Sequence, residues 1–412
     1  MQTCRHCYAP LTRTFVDLGS MPLANSYRHR DDESEEKSYP LHVMVCDSCL
    51  LVQLDTTVPP EKIFSEGYDY FSSTSPSWVA EAEKKAVHLI EKFNLTSDSL
   101  VVEVGSNDGY LLRHFVDRGI EVLGIDPAAE CAAEAEKQGV RTITRFFGES
   151  FAKWFVMDSG HQADIVTGTN VFAHVPGIND FVAGLAKMVK PDGVVIMEFP
   201  HLLNLIEEVQ FDTIYHEHYF YFSLHAVMNV FSYHGLYVRD VEELPTHGGS
   251  LRVYARRGGG MMDSKVLDVL HREVEAGLHT PEGYEGFALK VKDVARGLRH
   301  FLHRVSVCED AVITAYGAPA KGSTFLNYCD VPGMIDFTVD DSPHKQGKLM
   351  PGSHVPIVSR EHMLEQRPNY VLVLPWNLLE PIRARNPEVE AWGGRWVTAI
   401  PEIKIHDPRN HI

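Results

Sequence analysis

Two kinds of hydrophobic patterning alternate along the chain: short apolar runs ending in an acid or a glycine, and longer stretches with apolar residues every three or four positions. The first kind reads as buried strands and the second as amphipathic helices. In residues 101–109, Val-Val-Glu-Val runs into a turn bounded by Gly105 and Gly109, after which Leu111, Leu112, Phe115 and Val116 fall on one helical face. Strand, tight turn and helix in that order predict the opening of a doubly wound domain, whose ligand sits at the carboxyl end of the first strand. Residues 121–126 predict the second strand, 163–170 the fourth, 191–198 the fifth with its preceding turn, and 251–255 a strand that closes this domain. Ahead of them, residues 78–93 predict a helix with Ser77 as its cap. A helical pattern over 284–309 then leads to a further α/β unit, with strands in 311–316, 335–341 and 370–377.

The resulting fold class is α/β. It comprises an N-terminal metal-binding module (residues 1–64), a central doubly wound domain (65–255) and a C-terminal Rossmann-like α/β domain (256–412). A chain of 412 residues is long enough for two or three cores. The formal net charge of −18 excludes a nucleic-acid partner as the main reading, because phosphate binding needs a basic face. No run approaches 18 apolar residues and the N-terminus lacks the form of a signal peptide, so a cytoplasmic protein without a membrane partner is expected. A monomer is expected.

The cysteines define the first module. Cys4-x-x-Cys7 and Cys46-x-x-Cys49 are two knuckles separated by 38 residues, a pattern that wraps a tetrahedral Zn²⁺. Four thiolates leave no open coordination position, so the expected role is structural. Disulfides are the alternative, disfavoured in a reducing compartment.

The turn after the first strand carries the ligand chemistry. Asn107 and Tyr110 occupy the later glycine positions of the dinucleotide fingerprint, and Glu103 suits a pyrophosphate poorly. An acid there fits a ligand with positive charge and hydroxyls, such as S-adenosylmethionine (SAM), which has a sulfonium, an ammonium and a ribose diol. Asp126, 21 residues after Gly105, is placed to accept from ribose hydroxyls. Glu103, Gly105, Asn107, Asp126 and Asn170 are the candidate cofactor-binding residues.

Candidate acids and bases cluster further on. His174 follows the fourth strand, and residues 211–223 contain Tyr215, His216, Glu217, His218 and Tyr219 among aromatic neighbours. His216 and His218 flank an acid, but no third metal ligand is evident. Tyr68 and Tyr70 lie in a polar loop where an aromatic hydroxyl can face a ligand. His247 and Gly248 sit in a turn before the closing strand. Gly317, Lys321 and Ser323 form a small-residue turn into a helix, a place for a phosphate, though not a Walker motif. Asn377 ends a later strand at the same edge.

Taken together, the two cysteine pairs, Leu18-Gly-Ser-Met-Pro-Leu, the turn at 103–109, residues 215–223, His247-Gly-Gly, Tyr316-Gly-Ala-Pro-Ala-Lys and Pro351-Gly-Ser-His-Val-Pro resemble, from end to end, the SAM-dependent sugar C-methyltransferases of deoxysugar biosynthesis. The resemblance is to the C-3′-methyltransferase type of the D-tetronitrose pathway in particular. It implies a nucleotide-diphosphate 4-keto-6-deoxysugar as substrate, with the C-terminal domain helping to hold it. It also implies His218 as the base, with Glu217, Tyr215, Tyr70 and His174 around the reacting sugar and Glu217 orienting or polarising His218. This chain departs from that type in carrying Asp126 where the type has a glutamate, and Phe199-Pro200-His201 near where the type has Asp-Pro-Tyr. Methylation of an oxygen or nitrogen on another small molecule or nucleotide sugar is the alternative.

Overall fold

The computed structural model describes residues 2–59, 63, 71–309 and 311–407. Tyr68 and Tyr70 lie outside the described residues. The N-terminal module is a four-stranded sheet ordered Arg13–Pro22, Ser38–Val45, Val52–Leu54 and Phe220–Tyr221, so its last strand comes from the middle of the chain. Phe220 stands opposite Gln53 and Tyr221 opposite Val52 in an antiparallel pair. A second link runs from this module to the C-terminal region, where Arg28–His29 pairs with Lys348–Leu349.

The central sheet has seven strands. In chain order they are Leu100–Val104, Glu121–Ile125, Thr142–Ile143, Ala163–Thr169, Val189–Pro200, Leu236–Leu244 and Ser250–Arg257, arranged in space as 3-2-1-4-5-7-6. The first five run parallel, and the seventh, Ser250–Arg257, is antiparallel to both its neighbours, the fifth and the sixth. Strand order reverses between the first and fourth strands, and a doubly wound sheet opens its ligand crevice at that switch point. The strand Leu100–Val104 is buried along its whole length, as expected of a parallel strand covered on both faces.

Two local expectations are corrected. The run after Gly109 turns tightly before becoming helical only over Arg113–Val116, although Leu111, Leu112 and Phe115 are buried as expected. The preceding helix spans Pro76–Phe93 and is capped by Ser75, whose hydroxyl accepts from the Trp78 N–H, rather than by Ser77. Pro76 occupies the first helical position, where a missing N–H costs nothing.

The C-terminal sheet has six strands in the order Ile357–Val358, Thr338–Val339, Ile313–Tyr316, Tyr370–Val373, Arg395–Thr398 and Lys404–His406. Its first five strands by chain order are parallel, and its own switch point lies between Ile313–Tyr316 and Tyr370–Val373. Helix Phe287–Glu309 precedes it. Among the described residues no helix is long and apolar enough to cross a membrane.

Candidate active site

The four knuckle cysteines converge. Their sulfurs lie within 4.8 Å of one another, with Cys4 and Cys49 at 3.6 Å and Cys7 and Cys46 at 3.5 Å. These separations exceed a disulfide bond and approach the ~3.8 Å edge of a tetrahedron built on Zn–S bonds of about 2.3 Å. The donor set fits zinc. Gln53 Nε2 and the His6 N–H donate to the Cys4 sulfur at 3.2 and 3.4 Å, as donors around a metal thiolate do.

At the central switch point the first-strand turn takes the shape its glycines allow. Gly105 and Gly109 have φ of 69° and 77°, and a Cβ on Gly105 would approach Val171 to 2.9 Å. Asn107, also at positive φ, donates its backbone N–H to Asp126 Oδ2 at 2.8 Å, while Asp126 Oδ1 accepts from the Ala128 N–H at 2.9 Å. The short helical turn Ser72–Thr74, just ahead of the helix Pro76–Phe93, closes over this loop: the Ser72 N–H donates to Asn107 and the Ser73 N–H to Asp108. Among the described residues, both Glu103 oxygens, Ser106 Oγ, Asp108 Oδ1, Thr167 Oγ1 and Asn170 Oδ1 are buried without a hydrogen-bond partner. Orphan acceptors and hydroxyls crowded at one strand edge fit a ligand that brings an ammonium and hydroxyls. Burial pushes the Glu103 carboxyl up to about 8, opposed by Lys85.

The densest sequence cluster forms a second layer beside that edge. His218 donates Nδ1–H to the Thr213 carbonyl at 2.8 Å, which leaves Nε2 to accept from the Tyr215 hydroxyl at 2.8 Å. His174, four residues past Asn170, meets His218 edge-on with ring centroids 4.7 Å apart. Burial, then His174, holds the His218 imidazole well below its usual range, so it is neutral near pH 7; burial takes His174 down to about 4. Glu217 does not touch His218. Its carboxyl accepts from Asn25 Nδ2 at 2.6 Å, and burial raises it to about 7. Adjacent residues in the turn point apart, and the orienting group is instead a backbone carbonyl. His216 donates to the Tyr39 carbonyl at 3.1 Å.

The substrate candidates divide. His247 lies against the central domain, where Asn170 Nδ2 donates to its Nε2 at 2.8 Å and Trp78 meets its ring edge-on. Gly248, at φ 88°, offers its carbonyl to Gln210. Lys321 reaches the His247 carbonyl at 3.3 Å and lies 5.8 Å from the Trp376 ring centroid. Ser323 is fully buried and donates to the Ala24 carbonyl, so its hydroxyl is turned away from an open cradle. Asn377 is exposed, while its neighbour Trp376 turns inward and donates to Asp212. Gly317, at φ 89°, packs against Pro375. The next N–H, Ala318, donates to Asp340 Oδ2 at 2.7 Å, and Asp340 Oδ1 accepts from the Ser342 N–H at 2.9 Å.

Three family models match successive parts of this chain. They are described as "Putative zinc binding domain" over residues 4–64, "Methyltransferase domain" over 78–241 and "C-methyltransferase C-terminal domain" over 245–401. The C-methyltransferase NovU of Streptomyces niveus is 36% identical over 406 residues, which cover 98% of this chain and 96% of NovU. The chain belongs to the C-methyltransferase family. A ubiquinone biosynthesis O-methyltransferase of Aliivibrio fischeri is 28% identical over 128 residues, 29% of this chain and 55% of its own length. Among solved structures, the magnesium protoporphyrin IX methyltransferase ChlM from Synechocystis PCC 6803 with bound SAH covers 48% of this chain and 92% of its own, at 17% identity and a TM-score of 0.36.

The cofactors of this C-methyltransferase are SAM, as methyl donor, and zinc in the four-cysteine module. Sequence reasoning missed several residues that shape the pocket. Asn25 and Tyr27 come from the metal-binding module: Asn25 holds Glu217, and the Tyr27 hydroxyl donates to the Ala318 carbonyl at 2.6 Å. Lys345 donates to the same carbonyl at 2.9 Å. Lys85, buried within the helix Pro76–Phe93, reaches Thr169 Oγ1 at 2.6 Å and Glu198 at 3.5 Å beneath the cofactor edge. None of these carries a motif. A buried lysine on a helix otherwise patterned for a core is the one signal the sequence offered.

Proposed function

We propose that this C-methyltransferase removes the C3 proton of a nucleotide-linked 4-keto-6-deoxysugar and methylates the resulting enolate carbon. The reading rests most on the Tyr215–His218 pair, in which a neutral imidazole is pinned through Nδ1 and offers Nε2 as the basic atom. A 4-keto group acidifies the adjacent C–H by delocalising the carbanion onto oxygen, and a neutral imidazole is matched to that proton near neutral pH. Tyr215 then serves the enolate oxygen, where charge develops, with its hydroxyl already within 2.8 Å of the base. Glu217 keeps acceptor capacity beyond Asn25 and takes a sugar hydroxyl or amine. When bound, SAM supplies an electrophilic methyl group. Glu103 holds its ammonium and Asp126 its ribose diol, fixing the line of attack.

Asp340 supports the nucleotide end of the substrate. It receives the first-loop N–H and the N–H two residues on, the same two bonds that Asp126 receives in the cofactor domain. A carboxylate so anchored still has lone pairs for a nucleoside hydroxyl. Both ligands are metabolites of the cytoplasm, the compartment we infer for the protein.

The test is exchange of the substrate's C3 hydrogen with D₂O in the presence of a SAM analogue that cannot transfer methyl. Wild type is expected to exchange, and His218→Asn to exchange roughly 10²–10⁴ more slowly, the span of general-base loss. His216→Asn is expected to keep most of the rate. Wild-type exchange that survives in His218→Asn would remove the base assignment. Labelled methyl found on oxygen or nitrogen would replace C-methylation of the sugar with the alternative reading.

A further inference from the structure

The metal-binding module contributes an edge to its sheet that the reaction needs. The strand Val52–Leu54 pairs with Phe220–Tyr221, and the Leu54 N–H donates to the Tyr219 carbonyl at 3.0 Å, one residue from His218. Tyr219 is held on two further sides: its N–H donates to the Ala173 carbonyl at 2.8 Å and its hydroxyl to the Val58 carbonyl at 2.8 Å. A two-residue ladder is too short to set its own register. A slip of one residue would reverse the faces of Tyr219, Phe220 and Tyr221 and drag His218 off the Thr213 carbonyl.

Gln53 sits directly opposite Phe220 and is fully buried. Its Oε1 accepts from the Arg5 N–H at 3.0 Å, and its Nε2 donates to the Cys4 sulfur at 3.2 Å and to the Leu51 carbonyl at 3.4 Å. Arg5 in turn donates through Nη1 to the Leu54 carbonyl and through Nη2 to the Asp55 carbonyl at 3.4 Å. The first cysteine knuckle and the strand are therefore joined at side-chain and backbone level, with Gln53 as the joint. A sulfur fixed in a metal tetrahedron is an immobile acceptor, and an amide bonded to it cannot drift along the strand.

We propose that Gln53 is a positioning residue for methyl transfer: by bonding to the zinc-bound sulfur of Cys4 it fixes the edge strand on which the His218 segment is laid. This rests on His218 as the base, and it gives the metal module a part in the reaction geometry without a part in the chemistry. The Cys4 half of the contact carries the effect, because its acceptor is the metal-bound sulfur itself.

Two variants separate the halves. Gln53→Met keeps the volume and loses both contacts, whereas Gln53→Glu keeps an acceptor for Arg5 and loses the donor to Cys4. For each, full-length protein is measured for zinc per chain, for hydrogen–deuterium exchange of the segments 52–54 and 219–222, and for kcat and the KM of SAM. Both variants are expected to retain zinc, to exchange faster in both segments, and to lose roughly ten- to a hundredfold in kcat, the span for partners of metal ligands, with the SAM KM unchanged. Unchanged exchange at 219–222 would overturn the proposal, whatever happens to turnover. So would a Gln53→Glu protein that behaves as wild type. If His218 proves not to be the base, the exchange at 219–222 and the zinc content still decide whether Gln53 fixes that strand.

Discussion

Replacing Glu103 by glutamine should flatten the pH dependence of both stability and cofactor affinity, which run in opposite directions in the wild type. The carboxyl lies at the cofactor edge with both oxygens buried and unpartnered. The nearby cations are already matched: Lys85 and Arg252 meet Glu198, Arg252 and Lys92 meet Glu242, and Lys92 meets Asp240. Glu103 is thus the surplus acid, and burial raises it from 4.5 to about 8. Between those values the folded chain holds a proton that the unfolded chain has released. Stability of the empty protein therefore falls as pH rises, by up to about 1.4 kcal/mol per pH unit, accumulating on the order of 3 kcal/mol by pH 7. Glutamine removes the Glu103 share of that slope, the share that extends above the Glu217 range of about 7; its own unmet amide costs about 1–3 kcal/mol at every pH, so the slope and not the absolute stability is decisive. On the proposed reading, SAM would bring the positive charge that lets Glu103 ionise. Wild-type affinity should climb about tenfold per unit up to pH 8, with close to one proton released on binding near pH 7. Denaturant unfolding from pH 5 to 8 reads the first effect, and titration calorimetry in buffers of different ionisation enthalpy reads the second. If Glu103→Gln keeps the slope in stability and the proton release, the surplus acid is not Glu103.

The other expectations are simpler. Cys46→Ser should lose zinc and lower the melting temperature of the module; metal analysis that finds no zinc in the native protein would contradict the four-thiolate site. Asp126→Ala should weaken SAM by roughly 1.5–3 kcal/mol in calorimetry, while Asp340→Ala should raise the sugar-nucleotide KM and leave SAM binding alone. Lys321→Ala should cost both ligands severalfold, because its ammonium braces the His247 carbonyl beside Asn170. A loss confined to the sugar nucleotide would make Lys321 a direct substrate contact instead.

Much of this architecture was legible because it is local. The cysteine knuckles, the glycine turn after Leu100–Val104 and the acid at the end of the second strand each declare themselves within ten residues. The reading failed where adjacency in sequence was taken for adjacency in space. Glu217 follows His216 and precedes His218, yet it faces Asn25 from the metal-binding module. Thr213 orients His218 through a carbonyl that any residue would supply. The residues 335–341 read as a full strand, but the strand itself covers only Thr338–Val339, with Asp336 and Phe337 still bonded through their backbones to Ile313 and Ala315. Nor does any local pattern reveal that Phe220–Tyr221 would pair with Val52–Leu54, 160-odd residues earlier, and complete that sheet.

Those non-local contacts explain why the chain needs three units for one methyl transfer. On the proposed reading a carbon nucleophile and a sulfonium must meet in line, so the donor and the sugar would have to be held from opposite sides. The central sheet offers one switch point for a ligand and the C-terminal sheet a second, with the same aspartate wiring behind each first loop. What lies between is the segment around Ile214. Thr324 of the C-terminal domain donates to the Ile214 carbonyl at 2.9 Å, the Tyr219 N–H binds Ala173 of the central domain, and Leu54 of the metal module binds the Tyr219 carbonyl. Each unit thus grips one part of the stretch that carries Tyr215 and His218. Loss of any grip should lower turnover before it lowers the affinity of either ligand, and that ordering distinguishes a shared catalytic segment from three independently folded binding domains.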